Sequence, residues 1–348
     1  MKPIFYYIFS FVLFLVGCKK TEPSPMVDNR MVEIPFETQH IRVEAVAASL
    51  PTDTQTIHFI DASVGFAAAF DGSLHKTIDG GRTWALVYRS SIKNLPLPQV
   101  LFTSPGTGYA VGGSASCGGT GCTPPGGLVL RTTDGGATWA VVYRTSRGEV
   151  ASIAANDKGE LFIVSNETGS QILRSADAGS SWSVVAVWPY QLTKLAFDRN
   201  MGFCASANGK INNSTNSGGT WSEGSSFTYP YLNEIAFSTG IGFCVTGYGP
   251  VFRTVDNSRS WTETSNSPYS ALVINALTPT SCLIFGAGRY SGGDFGVFNG
   301  SIRQSIDGGN KWAEFELTNA GVVRSSSFYA STAGYVLAGN DLLRVRVK

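Results

Sequence analysis

Histidine is almost missing from this chain: His40, His58 and His75 are the three copies among 348 residues. Imidazole-based metal sites are thereby set aside, because the closely spaced Cys117 and Cys122 alone fall short of the four ligands that zinc takes. Charge is scarce as well. Only 15% of residues are charged, 26 basic against 25 acidic, and no Lys/Arg cluster exceeds three residues, which excludes the basic footprint of a nucleic-acid binder. The chain also lacks an apolar run of the ~20 residues that a membrane-spanning helix needs. Its near-continuous run Ile4–Val16, behind Lys2, has the length of a secretory h-region and predicts a signal peptide over residues 1–17. Residues 18–35 are polar, carry prolines and show no periodicity, which predicts a flexible tether. Folding is expected over 36–348.

Glycine and aromatic residues are what the folded part has in quantity, 40 glycines and 12% aromatics over the chain. Short strands joined by tight turns use this composition. Six octets fit one pattern, Ser/Thr-x-Asp-x-Gly-x-x-Trp: "TIDGGRTW" (77–84), "TTDGGATW" (132–139), "SADAGSSW" (175–182), "STNSGGTW" (214–221), "TVDNSRSW" (254–261) and "SIDGGNKW" (305–312). Asn216 replaces the acid in the fourth and Ser258 the glycine in the fifth. Upstream of each lies a Gly-aromatic start, a few alternating small and apolar residues, a turn and a second short strand, as in "VGFAAAFDGSLHKT". A seventh copy of that upstream part, 333–345, has no octet after it.

The octet tryptophans stand 55, 43, 39, 40 and 51 residues apart, the period of a four-stranded propeller blade. The expected architecture is therefore all-β, a seven-bladed β-propeller with the octet between strands C and D of each blade. The last blade has strands A, B and C only, and the period-2 segment His40–Ala47 is expected to complete it and close the ring.

Within the octet, the Ser/Thr and the acid two positions on can bond local backbone N–H groups, the glycine can supply a positive φ, and the tryptophan can bury its ring over the hairpin. A phosphate cradle would need a helix N-terminus or a nest, but another strand follows each octet. Calcium would need six to eight oxygens, and one acid per turn is a poor supply. Asp79, Trp84, Asp134, Trp139, Asp177, Trp182, Asn216, Trp221, Asp256, Trp261, Asp307 and Trp312 are accordingly expected to be structural, with no metal and no cofactor.

These octets resemble the Asp-box, or bacterial neuraminidase repeat. With the Gly-aromatic strand B and seven blades, the chain looks most like the photosystem II stability/assembly factor-like repeat family. That resemblance implies a non-catalytic propeller that binds a protein. Sialidases share the octet but carry an Arg-Ile-Pro near the start, and "VEIPF" (32–36) has Glu33 where that arginine would stand. Xyloglucanases of this fold set two aspartates between two propellers, and this chain supplies one propeller. Leu15-Val16-Gly17-Cys18 resembles the lipobox of bacterial lipoproteins, which implies lipidation of Cys18. Lys19 follows where some inner-membrane lipoproteins have aspartate, so an outer-membrane location in the cell envelope, facing periplasm or exterior, is expected. The membrane is met through that lipid only.

The partner, a protein or a glycan, is expected on the face that carries the B–C loops and the D-to-A links. Two B–C loops are enlarged, which invites a functional reason. One holds Cys117 and Cys122, expected to form a local disulfide in an exported protein. The other offers Arg289, Tyr290, Asp294, Phe295 and Phe298, a recognition mixture or a packing flap. Tyr190, Tyr231 and Tyr269 recur in three D-to-A links and would serve either a ring of tyrosines at the channel mouth or packing between blades. Cys204 and Cys244 take the same strand B position and should be buried thiols; Cys282 aligns one residue off, which would turn it to the opposite face. The alternative function is a glycoside hydrolase, which needs two carboxyls about 5–9.5 Å apart. Asp71, Glu167, Asp294 and Asp341 are the acids on the expected binding face, and Asp71 with Asp341, from neighbouring blades, are the pair to measure.

Overall fold

The computed structural model describes residues 41–92, 95–114, 126–167, 169–229, 231–246, 250–265, 270–291, 297–317 and 320–348. Cys18 with the signal and tether, Cys117, Cys122, Tyr269, Asp294 and Phe295 lie outside them. The described residues form 28 strands and no helix. The strands make five four-stranded sheets and one eight-stranded sheet, the latter two meanders joined by the single pair Glu149↔Gly113. In chain order these meanders, called units 1 to 7 with strands A to D, span 54–89, 99–144, 149–188, 192–226, 232–265, 271–317 and 323–347. The last has three strands of its own. Its fourth is Ile41–Val46, which runs antiparallel to Asp341–Val347 from Ile41↔Val347 to Val46↔Leu342.

Strands A of successive units touch in a closed cycle, that of unit 7 returning to unit 1. No ladder joins one strand A to the next, so their inward backbone groups must find another partner. Side chains supply it. The Ser325 and Ser327 hydroxyls of unit 7 accept the N–H groups of Ile57 (3.1 Å) and Phe59 (2.7 Å) of unit 1. Ser152 accepts Leu195 N–H at 3.1 Å, and Gln99 donates to Ile153 O at 2.8 Å. Outside this polar inner ring each seam between units holds its own apolar cluster. Phe66, Leu74, Val100 and Leu128 pack between units 1 and 2, and Ile57, Phe59, Tyr335 and Leu342 between units 7 and 1.

The recurring Gly-aromatic start has a spatial cause. In units 1, 2, 4, 5 and 7 a phenylalanine near the end of strand A lies opposite a strand B glycine: Phe59↔Gly65, Phe102↔Gly108, Phe197↔Gly202, Phe237↔Gly242 and Phe328↔Gly334. A Cβ on Gly65 would stand 2.5 Å from Phe59 Cδ1, and one on Gly108 2.6 Å from Phe102. Units 3 and 6 differ, with Ala155↔Leu161 and Ala276↔Cys282. In unit 3 the bulk has changed strands while the paired volume is kept; in unit 6 both members are small. Cys282 thus holds the glycine place, paired with Ser305 as Gly242 is with Thr254. That corrects the one-residue offset read from the sequence. It sits two residues before the position of Cys244, so it faces its seam in the same sense, packed with Phe243 and Ile284. Cys204, Cys244 and Cys282 are free and buried, and burial pushes all three thiols well up.

The octet turns interlock through their first hydroxyl and their acid. Thr77 Oγ1 donates to Asp79 Oδ1 (2.8 Å) and accepts Gly81 N–H (2.9 Å). Asp79 in turn accepts the Thr83 N–H (2.9 Å) and hydroxyl (2.6 Å). The same hydroxyl bond, 2.6 Å each time, joins Asp134 to Thr138, Asp177 to Ser181 and Asp256 to Ser260. Asn216 keeps the arrangement without charge, accepting Thr220 N–H (2.9 Å) and donating to its hydroxyl (3.0 Å). Trp84 meets Phe59 edge-on at 6.1 Å, and Trp139 meets Phe66 at 5.9 Å. Trp84 Nε1 donates to Gly81 O, whereas Trp261 Nε1 donates to Ser258 Oγ (2.9 Å), so the exceptional serine, at φ 68°, is used.

The hydroxyls of Thr83, Ser181 and Ser260, ahead of the neighbouring N–H groups, bring Asp79, Asp177 and Asp256 from 3.8 down to about 2. Thr138 likewise lowers Asp134. A carboxylate with a depressed folded-state pKa contributes fully above its unfolded value, and that contribution is lost as pH falls through the folded one. The melting temperature should therefore drop between about pH 4 and pH 2. Changing Asp79, Asp134, Asp177 and Asp256 together to asparagine, the residue already working at 216, should flatten that acid limb; an unchanged limb would assign acid unfolding to other carboxylates.

Candidate functional site

The cycle of A strands encloses an axial channel with two unlike ends. Towards the octet turns it widens to about 550 Å³ between apolar residues, among them Leu101, Ala155, Phe197, Phe237, Leu277 and Tyr329. Towards the strand A starts, on the side of the B–C turns, a second space of about 300 Å³ is lined by Thr56, His58, Gln99, Lys194, Glu234 and Arg324. Lys194 Nζ and Glu234 Oε2 form an ion pair at 2.9 Å across units 4 and 5. Burial pushes the Glu234 carboxyl up, against the opposing pull of Lys194. His58 stacks on Phe102 at 5.8 Å, and burial lowers it to about 4, so it is neutral at neutral pH. Arg324 is exposed and donates to Gly339 O. This end carries charged side chains, whereas the lining of the other end includes none.

The residues proposed from the sequence fall in several places. Tyr190 turns away from the channel: its hydroxyl lies 3.0 Å from both Asn212 Oδ1 and Glu223 Oε1 of unit 4, and Lys210 Nζ stands 5.2 Å from its ring centroid. Burial and then Glu223 push that hydroxyl up to about 12. Tyr231, at φ 62° and 66% exposed, bonds Ala207 O through its N–H (3.0 Å). The counterpart of Tyr190 is Tyr229, which stands at the same spacing after its octet tryptophan and whose ring lies 6.0 Å from Phe252 of the next unit. Arg289 and Tyr290 belong to a strand. Strand B of unit 6 runs Cys282–Ser291 and pairs with Val297–Ser305 as far out as Tyr290↔Phe298 and Ser291↔Val297. The enlarged loop is thus largely a projecting hairpin.

Asp71 and Asp341 have opposite surroundings. Asp71 Oδ1 accepts Ser73 N–H (2.9 Å) and Oδ2 accepts Arg89 (2.7 Å); burial opposes these bonds, yet they hold the carboxyl below its ordinary range. Asp341 is half-buried and burial pushes it up. Glu167 caps the neighbouring turn by accepting Ser146 N–H at 2.8 Å.

No family model matches this sequence, and no curated protein matches it. Solved structures do resemble it. YCF48 bound to D1 peptide superposes with a TM-score of 0.67 at 20% identity, covering 90% of this chain and 98% of that one. The GH74 xyloglucanase from Xanthomonas campestris gives 0.66 at 14% identity over 88% of this chain and 54% of the enzyme. A streptogramin B lyase gives 0.66 at 12% identity over 89% and 98%. With its curled four-stranded meanders around a channel, the chain has the β-propeller fold.

Proposed function

We propose that this chain is a lipid-anchored, seven-bladed propeller of the Asp-box type that binds a protein partner at the charged end of its channel and performs no chemistry of its own. The observation that carries the reading is the asymmetry of the channel. Charged groups from separate units, Lys194, Glu234 and Arg324, converge at the end where B–C turns and D-to-A links lie. Exposed Arg324 offers a partner a charge to pair with, and the Lys194–Glu234 ion pair beside it adds local donors and acceptors. The seven meanders, their cyclic contacts and the interlocked octets support the blade count and the Asp-box reading, and YCF48 offers a structural relative seen with a bound peptide. Cys18 would tether the ring to the outer membrane of a bacterial envelope.

A glycoside hydrolase is the second reading, favoured by one observation. Asp71 held ionised and Asp341 pushed towards neutral are the two states an acid/base pair needs. Both oxygens of Asp71 are already engaged, however, which leaves it poorly placed to attack or to activate water. Cross-linking of the membrane-bound protein in cells separates the readings. Arg324→Glu should remove a specific cross-linked partner at unchanged melting temperature, and Cys18→Ser should move the protein out of the membrane fraction. Hydrolysis of a glycan that disappears in Asp341→Asn, with partners unaffected by Arg324→Glu, would reverse the choice.

A further inference from the structure

Strand D of unit 4, Ser222–Ser226, departs from its counterparts. Ser226 pairs with Lys210 as Arg89 pairs with Ser73, which makes Ser225 the equivalent of Tyr88 and, by the same register, of Tyr143 in unit 2. Gly224 is the equivalent of Val87 and Val142. In units 1 and 2 those valine and tyrosine side chains pack into the seam towards the next unit. In unit 4 the place of the valine is taken, since a Cβ on Gly224 would stand 2.4 Å from Asn213 Nδ2; the place of the tyrosine holds only the Ser225 hydroxymethyl group, bonded to Ser258 O at 3.1 Å, and a trench of about 460 Å³ opens beside it at the seam with unit 5. Phe227, Tyr229, Phe252, Trp261, Arg259 and Glu263 line it.

Phe227 meets the next octet tryptophan here as Tyr143 meets Trp182, at 5.9 Å, in unit 2. Phe227 lies 4.5 Å from Phe252 and 5.6 Å from Trp261, at 75° to the latter. Tyr229 is 38% exposed. Rings of this kind offer flat apolar faces with a polar edge. Arg259 and Glu263, both exposed, bring opposite charges, so they offer donors and acceptors without net charge. The volume falls within the range of about 300–1,000 Å³ typical of small-molecule sites. An extended peptide would need a regular free edge, and the D strand here carries a bulge opposite Lys210 and Asn212.

From the open volume beside Ser225, the ring faces and the balanced charges, we infer that the trench between units 4 and 5 binds a neutral oligosaccharide. Sugar C–H faces lie against Tyr229 and Phe227, and sugar hydroxyls bond Arg259 and Glu263. This site shares no residue with the channel mouth and does not depend on the protein-binding reading. Calorimetric titration of the full chain with tetrasaccharides of the cello-, xylo-, manno-, malto- and N-acetylchito-series tests it. At least one series should bind. Ser225→Tyr, which restores the residue of units 1 and 2, and Tyr229→Ala should each weaken that binding about ten-fold or more, the loss of roughly one stacking contact. Arg324→Glu should leave it unchanged. Absence of binding across all five series, or binding indifferent to both trench variants at wild-type melting temperature, would overturn the assignment. Capture of peptides from an array, blocked by Ser225→Tyr and not competed by any of these sugars, would overturn it too and give the trench to a protein.

Discussion

Replacing Val43 with aspartate is expected to cost about 4 kcal/mol or more, the range reached when an unpaired charge is buried, and to lower the melting temperature by roughly 10 °C. Val43 is 2% exposed and packs with Leu283, Phe285, Val336 and Val345 in the seam of units 6 and 7. It also faces Val345 across the ladder that completes unit 7. A carboxylate there can neither reach water nor find a cation, so it must protonate or expel the strand. Acidification should accordingly return part of the loss, unlike the acid limb of the wild type. Glu44→Ala is the control: Glu44 is ion-paired with partly exposed Arg42 at 3.0 Å, an interaction worth at most about 1 kcal/mol. A Val43→Asp protein that melts like the wild type would mean that Ile41–Val46 is an accessory to the ring instead of its clasp.

Phe59→Ala should be comparably severe, about 3–5 kcal/mol. Phe59 is 2% exposed, stacks on Tyr335 at 3.8 Å and abuts Trp84, so one ring serves the seam of units 7 and 1, the octet and the strand B glycine. Gly65→Leu alone should also destabilise, by about 1–3 kcal/mol, because its Cβ meets the Phe59 ring. Combined, the two changes reproduce the Ala155↔Leu161 arrangement of unit 3. The double variant should be more stable than the sum of the singles predicts by about 0.5–3 kcal/mol, read from thermal or urea melts. Strict additivity would show that the two allocations of bulk are unrelated.

These cases mark where sequence reading succeeds and where it stops. The octets were legible because hydroxyl, acid, glycine and tryptophan all act within one turn, and the pattern recurs in one-dimensional order. The hydroxyl at Thr83, Thr138, Ser181, Thr220 and Ser260 was overlooked although it too recurs, since only the geometry shows it closing the acid's second oxygen. Cys282 aligns one residue off because the Gly-aromatic start that marks most other strands B is missing from "SCLIF". Tyr231 follows Pro230 as Tyr190 follows Pro189, yet Tyr229 holds the equivalent of Tyr190. The charged end of the channel could not be foreseen: Lys194, Glu234 and Arg324 come from three units and share no local motif. The trench of units 4 and 5 is harder still, because it depends on a small side chain, Ser225, at a bulged register.

The clasp between Ile41–Val46 and Asp341–Val347 also sets an order of events. Its residues are farther apart in sequence than those of any other pairing among the described residues, so closing it carries the largest loop entropy among them. Units 1 to 6 can each form from contiguous chain, and their meanders are local. Unit 7 must wait for both ends. A chain synthesised N-terminus first would present the 41–46 strand, unpaired, for the whole time units 1 to 6 are being made. Val43→Asp should then speed unfolding if the clasp forms after the transition state and slow refolding if it forms within it, a distinction that stopped-flow tryptophan fluorescence can read directly.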